Sequence, residues 1–166
     1  MSRKNAFLGE LDQENNNTRR LLEAIPMEHA QWKPHEKSMT LAQLATHIAE
    51  IGSWVRTTLE HDELDFADGK YKPTPLADTR EALLSLHDYC AKDAIDSLTN
   101  AEESTFNEIW TLRNGEEVYF SLPKVAVLRV WVYNHLYHHR GQMTVYLRLL
   151  GVKIPGMYGP TADDIQ

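Results

Sequence analysis

"KVAVLRVWVYNHLYHHRGQMTVYLRLL", residues 124–150, is the stretch whose reading decides the fold. Pro123 precedes it, and Gly151, a residue suited to a left-handed helix stop, closes it ahead of Pro155. Its apolar residues recur with a helical period, so the run reads as one long helix. With His135 at zero and about 100° per residue, Leu128 and Tyr146 fall near about 20°, Trp131 and Leu149 near about −40°, and Val132 and Leu150 near about 60°. That stripe, centred at about 20° to 30°, is the expected core face. His139 (about 40°) and Gln142 (about −20°) lie on it, and His138 sits at its edge near about −60°. Arg140, Thr144 and Arg148 fall on the opposite, solvent-directed half.

Upstream, "IWTLRNGEEVYFSL" places two β-favouring runs around Asn114 and Gly115, the pair that suits a type I′ turn, so a small hairpin-like excursion is expected there. Asp78 with Glu81 signals the start of another helix, supported by Leu83, Leu84, Tyr89, Cys90, Ile95 and Leu98 and ending near "TNAEEST". The acidic, proline- and glycine-containing run 61–78 reads as a long surface connection. Thr40 with Gln43 forms a capping box for a helix carrying Leu44, Ile48, Ile51 and Val55 and running to about residue 60. Residues 4–25 form the first helix, stopped by Pro26, although its centre "QENNNT" is polar. Four long helices without a repeat predict an all-α fold: an antiparallel four-helix bundle with long connections, as a single domain over residues 1–166.

Composition narrows the function. A chain of 166 residues, 42% of them apolar, can bury one substantial core. With 17 basic against 24 acidic side chains the formal charge is −7, which repels nucleic-acid phosphates and anionic membrane surfaces. Cys90 is the single cysteine, so neither an intramolecular disulfide nor a paired-thiolate zinc site is available, and a reducing compartment fits. No signal core or membrane-length apolar run is present, and a cytoplasmic, soluble protein is expected.

His135 and His139, at i and i+4, bring two imidazoles together on one helix face, close enough to share an ion. His47, at the edge of the second helix's stripe, is the natural third. Three neutral ring nitrogens leave a coordination position open on zinc, nickel or iron. The same three rings could instead form a hydrogen-bonded polar cluster in a metal-free core, since a histidine on an apolar face is most often a core residue with a partner. Glu50, three residues after His47, is a candidate partner for that histidine, a general base, a fourth ligand or a solvated helix residue. Gln142 could orient a ligand histidine, and His138 is an alternative ligand. Arg140 reads as a partner for acids or a subunit contact, Cys90 as a small buried residue, and Trp32, Trp54, Trp110 and Trp131 as core or pocket walls.

"HLYHHRGQM" followed by "YLRLLGVKIPGMYGP", with "IPMEHAQWKPHEKSMTLAQLATHI" upstream, resembles the DinB/YfiT-like superfamily of metal-binding four-helix bundles. The likeness covers nearly the whole chain, including "LLEAIP" and the "NGEE" excursion. It implies a divalent metal, commonly zinc or nickel, on His47, His135 and His139, and a homodimer. It also implies a metal-dependent transferase acting with a small thiol such as bacillithiol or mycothiol on an electrophilic substrate, with a tail that brings Tyr158 toward the pocket; an open coordination position that activates bound water instead would make the protein a hydrolase. A noncatalytic metal-stabilised dimeric module is the alternative. The family name is no warrant for DNA binding, and neither nucleic acid nor membrane is expected as a partner.

Overall fold

The computed structural model describes residues 2–164. Helix α1 (Arg3–Glu23) begins where Ser2 Oγ accepts from the Asn5 amide at 3.2 Å. Its buried face alternates apolar Phe7, Leu11, Leu21 and Leu22 with polar Glu14, Asn17 and Thr18. Helix α2 (Leu41–Glu50) opens on the expected capping box: the Gln43 amide donates to Thr40 Oγ1 at 3.2 Å, and the Thr40 amide to Gln43 Oε1 at 2.8 Å. A 3₁₀ turn, Ile51–Ser53, joins it to α3 (Trp54–Glu60).

That turn coincides with a close approach of backbone. Helix α4 (Arg80–Asn100), capped by Thr79 and not by Asp78, crosses at Gly52. A Cβ at position 52 would lie 2.9 Å from the Cys90 carbonyl oxygen and 3.1 Å from its carbon. Only glycine lets the two backbones come this near. Gly52→Ala is expected to destabilise the fold by about 1–3 kcal/mol, measured as a lower urea midpoint with an unchanged slope.

The all-α expectation is overturned by a three-stranded mixed sheet. Strand β2 (Ile109–Asn114) pairs antiparallel with β3 (Glu117–Pro123) and parallel with β1 (Glu63–Asp65). The hairpin was legible in the sequence; β1 lay hidden in the acidic run assigned to a surface connection. Its three residues have no β pattern of their own and are held by distant partners. The Thr111 amide donates to Asp62 O at 2.9 Å and the Phe66 amide to Arg113 O at 3.0 Å. Asp65 Oδ1 accepts from the Ala67 and Gly115 amides at 2.9 and 2.8 Å, and Arg113 pairs with Glu63 at 2.7 Å. The hairpin turn is also displaced by one residue. Asn114 pairs with Glu117, leaving Gly115 and Glu116 in the loop, and Gly115 has φ +62° while no non-glycine residue among those described has positive φ. Type I′ needs two such residues; the observed signs are those of type II′.

The sheet docks through Trp110, fully buried, whose indole donates to Thr57 O at 3.1 Å. Buried Lys124 completes the joint, its ammonium donating to Leu59 O, Asp62 and Glu108 at 3.1, 3.2 and 3.0 Å.

The decisive stretch is helical throughout but not uniform. It comprises α5 (Lys124–Val127), a π-helical segment Leu128–Tyr133 and α6 (Asn134–Leu149). Arg129 in the π segment clasps Glu10 of α1 with two bonds of 2.7 Å, and Tyr133 Oη donates to Phe7 O at 2.9 Å. A widened turn changes the phase of a helical wheel, and α1 covers a side of α6 that the wheel left to solvent. The buried residues of α6 are Leu136, His139, Arg140, Met143, Tyr146 and Leu147. They span about 20° to about 140° from His135, so the core face is rotated by roughly 55° from the expected stripe. Leu149, expected inward, is 60% exposed, and Arg140, expected outward, is 2% exposed.

Candidate metal centre

Helices α2 and α6 bring His47, His135 and His139 into one group whose ligand nitrogens all lie within 4.8 Å of one another. His135 Nε2 lies 3.0 Å from His47 Nε2 and 2.8 Å from His139 Nε2. The far sides of two rings are tied down. His47 Nδ1 donates to Glu50 Oε1 at 2.8 Å, and His139 Nδ1 donates to Gln142 Oε1 at 2.7 Å. Each bond puts the ring proton on Nδ1 and leaves the Nε2 lone pair facing the centre, as a metal-binding imidazole requires.

The donor set fits a cation better than it fits itself. With His47 and His139 both protonated at Nδ1, His135 Nε2 can supply at most one proton to two facing lone pairs. At least one of the two short contacts is then left without a hydrogen of its own, and a shared cation would satisfy all three nitrogens at once. Burial and the neighbouring imidazoles press the His135 pKa down to about 4, and burial lowers that of His139. Both rings are therefore neutral near pH 7, the state in which they can act as ligands.

The remaining candidates separate cleanly. His138 is exposed and outside the group, although its ring centroid lies 4.9 Å from that of His139. Glu50 faces Nδ1 of His47, not the centre, so it orients that ring from behind. Cys90 is buried and its thiol is pushed up to about 11 by burial, consistent with a small packing residue. Tyr158 does fold back onto the helices, but its hydroxyl joins the Arg140–Glu14 pair and not the histidines.

A cleft of about 380 Å³ opens over His47 and His135. Trp54 and Trp131 stack at 4.5 Å and 15° along one side, with Trp54 edge-on to His47 and His135 at 5.4 and 5.0 Å. Leu64, Phe66, Tyr71, Lys72 and Thr74 contribute further lining. These come from β1 and the connection after it, and no sequence signal marked them, because their position depends on pairing with β2. Trp110 proved a core residue and Trp32 packs edge-on against Tyr146 at 5.6 Å.

Fold and centre together define a predominantly helical protein with a three-histidine group able to hold a metal ion beneath an aromatic cleft. The DinB family model matches residues 1–166, and the chain belongs to that family. It is 27% identical over 164 residues to the uncharacterized protein YrdA of Bacillus subtilis (strain 168), covering 95% of this chain and 89% of YrdA. Its fold is similar to that of a DinB-like protein from Bacillus cereus ATCC 10987, with TM-score 0.70 and 22% identity over 92% of this chain and 95% of the other. It is also similar to the DinB-like protein YjoA from Bacillus subtilis, with TM-score 0.68 and 20% identity over 93% and 98% of the two chains. Among the described residues no helix is long and apolar enough to cross a membrane.

Proposed function

We propose that the protein is a divalent-metal-dependent enzyme in which His47, His135 and His139 hold the ion, zinc or nickel best and iron also suited, and in which a small thiol or water is the nucleophile. The observation that carries this reading is the convergence of three Nε2 atoms beside an open cleft that His47 and His135 line, with no fourth carboxylate, thiolate or imidazole in the group among the described residues. A structural site would be closed by four protein ligands, whereas three leave room for a reactant. A bound divalent ion lowers the pKa of a coordinated water or thiol, so that either becomes nucleophilic near neutral pH.

The chain's own residues supply orientation and exclusion. Glu50 and Gln142 hold two imidazoles with their Nε2 atoms inward. The Trp54–Trp131 stack and Phe66 keep water from one side of the reactant. Metal-loaded protein should conjugate a small thiol to an activated aryl chloride or hydrolyse an activated ester, with turnover abolished in His47→Ala. Loaded protein that does neither would favour the noncatalytic alternative, in which the ion only braces α2 against α6.

A further inference from the structure

We propose that the cleft accepts a molecule with a flat apolar body and one anionic group, the body lying against Trp54 and the anion held by Lys72. The inference rests on the reading of this cleft as the reaction site and names the class of substrate it would take. Its surface is dominated by Trp54, Trp131, Leu64, Phe66 and Tyr71, and rings prefer to stack on rings. Phe66 and Tyr71 brace each other edge-to-face at 5.1 Å, which holds that side of the cleft in shape.

The cleft sets one base against one acid, whereas the whole chain has 24 acidic against 17 basic side chains. Only Glu50 and Lys72 among the lining residues carry full charges apart from the histidines. Glu50 is committed to His47 at 2.8 Å. Lys72 has no ionic partner among the described residues, whereas its neighbour Lys70 is engaged by Asp68 at 3.1 Å. In the adjoining groove, Asp65 is taken up by Arg113 and two backbone amides. The cationic side chain available to a ligand is therefore the Lys72 ammonium, with the Glu50 carboxylate held at its bond to His47. Pro73 and Pro75 follow it, and residues that precede proline are confined to extended backbone, so the lysine is presented from a stiff segment.

The test is calorimetric titration of 3-phenylpropanoate and its neutral partner 3-phenylpropanamide into metal-free and zinc-loaded wild type and into metal-free Lys72→Gln and Trp54→Ala. The acid should bind roughly 3- to 5-fold more tightly than the amide in metal-free wild type, as expected of one exposed ion pair. That preference should vanish in Lys72→Gln, while Trp54→Ala weakens both ligands alike. No binding of either ligand, equal binding of the two, or a preference that survives Lys72→Gln would overturn the proposal. A preference seen only in zinc-loaded protein would also overturn it, because the anion would then be bound by the ion. Failure of the protein to bind metal would defeat the enzymatic reading separately, since the metal-free arms read the lysine without it.

Discussion

His47→Ala is expected to abolish stoichiometric metal binding, lowering affinity for zinc or nickel by well over 100-fold, with His135→Ala and His139→Ala close behind. Each substitution removes one of three convergent nitrogens, and two imidazoles on one helix do not make a site. His138→Ala should bind like wild type, because that ring is exposed and outside the group. Glu50→Gln should fall between, weakening binding by about 10- to 100-fold, since the amide oxygen can still accept from His47 Nδ1 but carries no charge to raise its basicity. Elemental analysis of untagged protein and competition with a chelator provide the measurement. Binding to the folded state also stabilises it, by about 2.7 kcal/mol at a free ion concentration 100 times the dissociation constant. For a domain of this size that corresponds to roughly 5–10 °C in Tm, which chelation should reverse in wild type and leave unchanged in His47→Ala. Equal losses in all four histidine variants would sink the assignment of roles.

Arg140→Ala is expected to cost about 3–5 kcal/mol of stability, the usual penalty for stranding one member of a buried ion pair. The guanidinium is 2% exposed and Glu14 4% exposed, so neither charge has water to fall back on. Arg140 donates to Glu14 O and to Thr18 Oγ1, both at 3.1 Å, and pairs with the Glu14 carboxylate. Tyr158 from the tail closes the cluster by donating to Glu14 Oε2 at 2.7 Å. Glu14→Ala should be comparably damaging, and the double variant Glu14→Ala/Arg140→Ala should lose much less than the sum of the singles, because no charge is then left alone. Urea unfolding of the four proteins measures this directly. Additive losses would mean that the two side chains do not act as a pair. Metal stoichiometry should survive in the folded fraction, since this cluster faces α1 while His139 faces α2.

The two clusters differ in how far they could be read in advance. The i, i+4 histidines are a property of one helix, whose geometry follows from local spacing, and the third histidine lay on another helix with an equally clear start. The polar centre of α1 looked like a weakness of that helix when taken alone. It is the acceptor for Arg140, a residue the wheel placed in solvent, and each half of the pair makes sense only beside the other. The wheel failed there because it assumed a uniform turn and a single buried face, whereas the chain contains a π segment at Leu128–Tyr133 and packs α6 on two sides.

Local chemistry thus determined the long helices, the Thr40 capping box, the presence of the hairpin and the His135–His139 pair, because each depends on residues within a few positions of one another. Family membership followed from the same quoted motifs and holds across residues 1–166. Only the tertiary structure decided that the fold is not all-α, that Arg140 is buried, and that Phe66, Tyr71 and Lys72 border the histidine cleft. Strand β1, the Arg140–Glu14 pair and the cleft wall all arise from contacts between segments far apart in sequence. The free energy of such contacts depends on the partner as much as on the residue, so no reading of one segment by itself could reveal them.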